Sequence, residues 1–315
     1  MKFPAVFQFF PELEALGRNL YWRFPILQNL ATSFTRKTRD TCDQYGFSAD
    51  DLILALKSLG VRDDDVIILH SSMKELSKCG LDAVAILSLI THQLCPKGTI
   101  VCPTFPLYRH EPQGTSRITK YISNINFTYN VQKSMPWTGQ LGRVLMRLPE
   151  SRRSLHPLNT ITAYGSAVKE IFANESIHNL DLPCGPNSTW AALAKLNSKI
   201  IMLGVDMAHS LTMIHVAEDC FEDSWPISDW YRYRSFTIVD QGIEYYVKVR
   251  ERQPRWTMSY AERKLSFDLF SNGIAKSLRV GTLDVTVLES ELLLDFLNSK
   301  KASGYPYYLI PLSRQ

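Results

Sequence analysis

The sequence predicts an α/β fold organised on a mostly parallel sheet, and three observations carry that expectation. Short apolar runs of strand length recur at Asp65-Val66-Ile67-Ile68-Leu69-His70, at Gly98-Thr99-Ile100-Val101-Cys102 and at Lys199-Ile200-Ile201-Met202-Leu203-Gly204-Val205. They lack polar alternation, as strands covered on both faces do. Segments with helical spacing separate them through short links, the order that builds parallel sheets. At 315 residues, with 45% hydrophobic and 21% charged side chains, the chain has the length and balance for a real core.

Residues 1–40 stand apart as an aromatic-rich N-terminal arm. Phe3, Phe7, Phe9, Phe10, Tyr21, Trp22 and Phe24 crowd among Pro4, Pro11 and Pro25. The spacing predicts a helix over 12–22 with Leu13, Leu16 and Leu20 on one face. Such an arm packs on its own domain or on a partner subunit, which would make a homodimer. An interfacial membrane anchor is the alternative, weakened by the scarcity of basic residues. Residues 41–315 contain no internal repeat and no clean linker, so they read as one domain.

Within that domain, Ser48 is an N-cap with Asp51 at the capping-box position, and a helix follows to Leu59, stopped by Gly60. A second helix is expected over 81–94. Residues 106–136 show no period and have the length of a functional lid or of a partly disordered loop. Helices are expected over 140–147 and 166–173, and Ser188 caps another over 189–196. A helix over 210–219 places His215 and Glu218 on one face at i, i+3. Glu222, Asp223 and Asp229 then lie among Trp225 and Trp230, either as a solvated loop or as a pocket wall suited to ammonium groups. A hairpin is expected around Asp240-Gln241-Gly242, then a helix and a strand over 266–280, and a closing helix over 289–300.

Composition excludes several function classes. A net charge of +4 without a long Lys/Arg run does not call for nucleic acid. No run reaches the roughly eighteen apolar residues needed to span a bilayer. The first residues lack a secretory h-region, and six cysteines without a CxxC pair point to free thiols in a reducing cytoplasm rather than to a zinc ribbon.

The chemistry is expected around His156. It stands between Leu155 and Pro157, and the residue before a proline avoids helical dihedrals, so His156 sits at the mouth of the strand expected over 160–164. Ser71, Ser72, Met73 and Lys74 follow an apolar strand directly. Small hydroxyls and a cation at a strand's carboxyl end suit phosphate binding, although no GxxxxGKS nucleotide loop is present.

Taken in order, His70-Ser71-Ser72-Met73-Lys74, Pro103-Thr104-Phe105, Met135-Pro136-Trp137-Thr138-Gly139, Ser154-Leu155-His156-Pro157, Leu203-Gly204-Val205 and Thr212-Met213-Ile214-His215-Val216-Ala217-Glu218 resemble the aminoglycoside 3-N-acetyltransferase family. These are acetyl-CoA enzymes outside the GNAT class. The resemblance covers roughly residues 47–225, extends more loosely over the remainder and leaves the arm outside. It implies an α/β/α layered sandwich, acetyl-CoA as acyl donor with CoA as product, no metal, and a small-molecule amine as acceptor. It implies that His70, Ser71, Ser72, Met73, Lys74, Pro103 and Ser154 serve the cofactor and that His156 is the catalytic base. Glu218 is the expected carboxylate partner of His156, with Asp206 second. Thr104 and backbone N–H groups near Ser72 are the expected oxyanion donors. Trp137, His215, Asp206, Glu222 and Asp223 are expected on the acceptor side. Two departures from the family pattern put the acceptor in question: Leu211 before Thr212, and the turn Cys184-Gly185-Pro186-Asn187-Ser188-Thr189-Trp190.

Acetyl transfer to nitrogen needs a deprotonated amine, and a neutral imidazole can provide one. No GxSxG elbow signals an acyl-enzyme, so direct transfer is expected. The acceptor is an amino sugar or aminoglycoside-like amine, in antibiotic resistance or in biosynthesis, or another small amine in a biosynthetic route. The rival classes are a metal-dependent hydrolase using His156, His209, His215 and Glu218, and a catalytically idle binding protein.

Overall fold

The computed structural model describes residues 9–24, 46–112, 122, 124–221, 227, 229–301 and 307–309. Its elements run α1 (Pro11–Arg23), α2 (Ala49–Ser58), β1 (Val66–Ser71), α3 (Met73–Leu76), α4 (Ala83–Leu89), β2 (Thr99–Pro103), β3 (Asn126–Asn130), α5 (Gln140–Leu145), β4 (Arg152–Arg153), β5 (Ile161–Gly165) and α6 (Val168–Ile171). They continue with α7 (Thr189–Lys195), β6 (Lys199–Leu203), α8 (Met207–Ser210), α9 (Ile214–Asp219), β7 (Tyr231–Asp240), β8 (Ile243–Arg252), α10 (Glu262–Ser271), β9 (Ala275–Val280), β10 (Leu283–Glu289) and α11 (Ser290–Lys301).

The three apolar runs become β1, β2 and β6, the centre of a seven-stranded sheet ordered β4-β5-β2-β1-β6-β10-β9. These central strands are mutually parallel. The flanking strands join antiparallel, β5 on β2 and β10 on β6. Side chains alternate across the centre as the pleat requires. Ile67, Leu69, Ile100, Cys102, Ile201 and Leu203 pack with the buried residues of α2, α4 and α5. Ile68, Val101, Ile200 and Met202 pack with Trp190, Ala217, Leu269 and Leu297 on the opposite face. Each fully buried aliphatic side chain contributes about 1.5–3 kcal/mol, so both faces must be covered, and the layering is α/β/α as expected.

Local signals hold where they rest on capping. The Ser48 hydroxyl accepts from Asp51 N at 3.1 Å while the Asp51 carboxylate accepts from Ser48 N at 2.9 Å. Ser188 caps α7 in the same manner, accepting from Ala191 N at 3.1 Å. The hairpin turns through Gln241 and Gly242, both at positive φ (49° and 85°), the two-residue primed turn that matches strand twist.

Three strands lie where none was expected, the two-residue β4 among them. β10 falls between the predicted strand and the closing helix. β3 falls inside the supposed lid and pairs parallel with β7 in a separate three-stranded sheet, β3-β7-β8. The arm's helix also departs from expectation. Leu13, Leu16 and Leu20 are exposed, whereas Glu14 is buried. α1 docks through its polar face: Glu14 accepts from Arg263 Nη1 at 2.6 Å, Arg18 pairs with Glu262 at 2.5 Å, and Asn19 donates to Met258 O at 3.2 Å. A buried carboxylate meeting two arginines fixes orientation more firmly than an apolar stripe would.

At the carboxyl end of β6, Gly204 takes φ 66°, and a Cβ there would lie 2.6 Å from the Cβ of Glu75. Only glycine lets the chain leave the sheet so close to α3.

Candidate active site

A cleft of about 540 Å³ opens beyond the carboxyl ends of the parallel strands, where ligands of open α/β sheets bind. Phe105, Pro106 and Leu107, just past β2, form one wall. His215 and Glu218 of α9 form another, and Arg234, Glu251 and Arg252 of the β7–β8 hairpin a third.

On the α9 wall, His215 Nδ1 lies 2.7 Å from Glu218 Oε2. The Tyr308 hydroxyl donates to Glu218 Oε1 at 2.8 Å, and Arg252 Nη1 stands 3.8 Å from the same oxygen. Burial works to raise the Glu218 pKa, but the charges of His215 and Arg252 and the hydrogen bonds from His215 and Tyr308 outweigh it and hold the group low. The carboxylate is therefore ionised. In its neutral form, with Nδ1–H donated to that carboxylate, the His215 ring would present Nε2 as a proton acceptor. Next in sequence, Asp219 is pushed up to about 7, first by burial and then by the nearby Glu218 charge. It accepts from Tyr231 OH at 2.9 Å and from Cys184 N at 3.1 Å.

His156 sits differently. Its loop is pinned from several sides: Tyr108 OH donates to Pro157 O at 2.6 Å, Tyr129 OH to Ser154 O at 2.7 Å, and Leu155 N to Glu175 at 2.9 Å. The ring is 5% exposed. Nδ1 lies against Leu158 N and Leu158 O at 3.0 and 2.9 Å, and Nε2 has no hydrogen-bond partner among the described residues. Burial depresses its pKa to about 4, against weaker opposing hydrogen bonds. Pro157, Leu158 and Asn159 line the cleft, but His156 does not. The expected pairing of His156 with Glu218 is thus corrected, because Glu218 bonds to His215, Tyr308 and Arg252. Asp206, second choice as partner, is exposed and does not line the cleft.

Several other expected contacts are structural. The Thr104 hydroxyl is fully buried and bonds to that of Thr162 at 3.0 Å, while Thr104 O accepts from Arg153 at 2.5 Å. Ser72 N is taken by Leu203 O at 2.9 Å. Neither group is placed to receive an oxyanion. Ser154 is 1% exposed, and its hydroxyl accepts from Ile161 N at 3.0 Å. Pro103 is buried in β2, its carbonyl accepting from Thr138 at 2.6 Å. His70 is buried, desolvation lowers its pKa to about 4, and its Nε2 has no hydrogen-bond partner among the described residues. Cys102 is buried too, with its thiol pushed up to about 12 by desolvation, which removes it as a nucleophile.

The turn after β1 keeps its expected character. Ser71, Ser72 and Met73 are half-buried and Lys74 is exposed. Among the described residues the Ser72 hydroxyl makes no cap bond, and with exposed Lys74 beside it this turn offers donors to a polyanion. None of the four lines the cleft itself. Trp137 does; it is 60% exposed and packs edge-on to Phe105 at 5.9 Å. Glu222 and Asp223 lie outside the described residues. Sequence reasoning missed Arg252, Arg234, Glu251, Glu111 and Asp219, which line the cleft, and Tyr308, which bonds to Glu218 without lining it. For His215 with Glu218 the i, i+3 spacing was the available signal.

An imidazole held on a carboxylate, facing a cleft at the ends of parallel strands, defines an α/β enzyme equipped for proton transfer. The aminoglycoside 3-N-acetyltransferase family model matches residues 68–300. The chain belongs to that family and is an acyltransferase. It is similar to aminoglycoside N(3)-acetyltransferase IX of Micromonospora chalcea, 23% identical over 262 residues, 76% of this chain and 88% of the relative. It is also similar to aminoglycoside N(3)-acetyltransferase IV of Salmonella sp., 27% identical over 180 residues, 56% and 60% of the two chains. Among solved structures, AAC-IIIb in binary complex with CoASH superposes with a TM-score of 0.66 at 18% identity, covering 82% of this chain and 98% of that one. The YokD protein from Bacillus subtilis gives 0.64 at 21% identity, covering 81% and 93%.

Proposed function

We propose that the protein transfers an acetyl group from acetyl-CoA to a primary amine of an amino sugar or aminoglycoside-like acceptor, directly, with His215 as general base. Acetyl-CoA supplies the acyl group as a thioester. Its support is the CoA-bound neighbour and the open donor set of Ser71, Ser72 and Lys74, which would hold the phosphates.

The observation that carries the reading is the His215–Glu218 contact on the cleft wall. Glu218 accepts Nδ1–H and stabilises the imidazolium, and His215 Nε2 takes the proton that the acceptor nitrogen must lose. The nitrogen then forms the amide bond as the carbon–sulfur bond breaks, and the proton held by His215 passes to the departing sulfur. His156, in this reading, shapes the loop Pro157-Leu158-Asn159 that walls the acceptor.

The family and the named relatives support an aminoglycoside-like acceptor, in resistance or biosynthesis. One observation favours the second reading, another small amine of low charge. Each described carboxylate of the cleft is already engaged: Glu111 and Glu251 by Arg234 at 3.0 and 3.1 Å, Glu218 by His215, Asp219 by Tyr231. A polycation gains less from carboxylates whose lone pairs already hold internal partners than from free ones. Residues 1–40 are read as an accessory arm and 41–315 as the acetyltransferase domain. The outward apolar side of α1 offers a surface for a second copy, and a monomer by light scattering removes that part.

The test is thiol release from acetyl-CoA by the purified protein against simple amino sugars and aminoglycosides. Release with one acceptor class and mass-spectrometric acetylation of its nitrogen is the expected result. Absence of release with every amine overturns the reading.

A further inference from the structure

We infer that Tyr308, in the C-terminal segment beyond the family match, is a positioning residue that aims Glu218 at His215. The family model ends at residue 300, and Tyr308 follows it. The segment is fastened independently of the cleft: Ala261 N donates to Tyr307 O at 2.7 Å, and Leu309 N to Ser259 O at 2.8 Å. The Tyr308 ring is then fixed on two sides. It stacks on Tyr260, centroids 4.6 Å apart and planes 23° from parallel, and meets Trp230 edge-on at 4.9 Å and 87°. Held so, with 5% of the residue's surface exposed, its hydroxyl donates to Glu218 Oε1 at 2.8 Å, while Arg252 donates to the same hydroxyl.

The division of labour follows from the two carboxylate oxygens. Oε2 meets His215 and Oε1 meets Tyr308, so the carboxylate cannot turn about its terminal bond without breaking one contact. A hydrogen bond to an ionised group is shorter and stronger than a neutral one, and one made by a rigid ring costs little entropy at the moment of reaction. Arg252 polarises the phenol from behind and strengthens its donation. The charged and titratable groups around Glu218 are His215 and Asp219 on α9, Cys184 before α7, Arg252 on β8 and Tyr308 itself.

This inference rests on His215 being the base. Tyr308→Phe keeps both ring contacts and removes only the hydroxyl. We expect kcat to fall by about ten- to a hundredfold, the range carried by one hydrogen bond to a charged group, with KM for acetyl-CoA unchanged. The acid limb of the kcat–pH profile should move upward, because a carboxylate stripped of a donor binds the shared proton more tightly. Tyr307→Phe is the control: its hydroxyl donates to Asp268 at 2.7 Å, away from the cleft, so it should lower the melting temperature and leave the profile in place. In a Glu218→Gln background, Tyr308→Phe should have no further effect on kcat. An unmoved acid limb, an equal shift in Tyr307→Phe, or full additivity with Glu218→Gln overturns the inference. His215→Ala measured alongside separates the two ideas. Retained turnover there sinks the base assignment itself, whereas lost turnover with an unmoved Tyr308→Phe profile sinks only the role of Tyr308.

Discussion

His156 and His215 are both histidines of family-like motifs, yet their surroundings give them opposite properties. His156 is enclosed by a loop that Tyr108, Tyr129 and Glu175 hold rigid, and its pKa is driven to about 4 by burial. His215 faces the cleft and rests on an ionised carboxylate. Both rings have Nδ1 held, by the Leu158 backbone in one case and by the Glu218 carboxylate in the other, so what sets them apart is access to the cleft and the charge of the partner.

The sharpest way to break this contrast is to remove each ring in turn. His215→Ala should lower turnover by about two to four decades with an unchanged melting temperature, measured by thiol release and calorimetry. His156→Ala should do the reverse. It empties a packed site and unpairs Leu158, so we expect a loss of about 1–3 kcal/mol of stability and less than a tenfold loss in turnover of the folded enzyme. If His156→Ala proves the more damaging to kcat, the assignment inverts.

Smaller effects sharpen the description of the pinned loop. Glu175 is pushed up to about 7 by burial, against the hydrogen bond from Leu155 N. A carboxyl whose folded pKa is raised stabilises the fold at low pH and loses that contribution as pH rises from about 4.5 to about 7. Glu175→Gln should therefore gain melting temperature relative to the parent across that window and hold the gain above it. A difference independent of pH would show that Glu175 stays ionised in the fold. Last, Ser154→Ala should cost about 1 kcal/mol through the lost bond to Ile161 N and leave KM for acetyl-CoA unchanged. A raised KM would return Ser154 to the cofactor side.

The central sheet was legible because β1, β2 and β6 are buried on both faces and so carry uninterrupted apolar runs. β10 was not, since Asp284 and Thr286 interrupt Leu283-Asp284-Val285-Thr286-Val287-Leu288. β3 alternates exposed and buried residues, but its partner β7 lies more than a hundred residues away, and local pattern does not carry such a pairing. The site was half legible. One helix turn brings His215 and Glu218 together, so spacing alone exposed them. Tyr308 and Arg252 reach Glu218 only through the folding of the hairpin and the C-terminal segment. In α1 the apolar stripe misled, because the buried ion pairs of Glu14 decide which side docks.

Gly204 links the sheet to chemistry at a distance. Because β6 leaves the sheet with no side chain between its backbone and Glu75, the turn that carries Ser71, Ser72 and Lys74 rests directly on that strand, Ser72 N donating to Leu203 O at 2.9 Å. A methyl group in place of the hydrogen atom beneath that turn would push Glu75 outward and carry the turn with it.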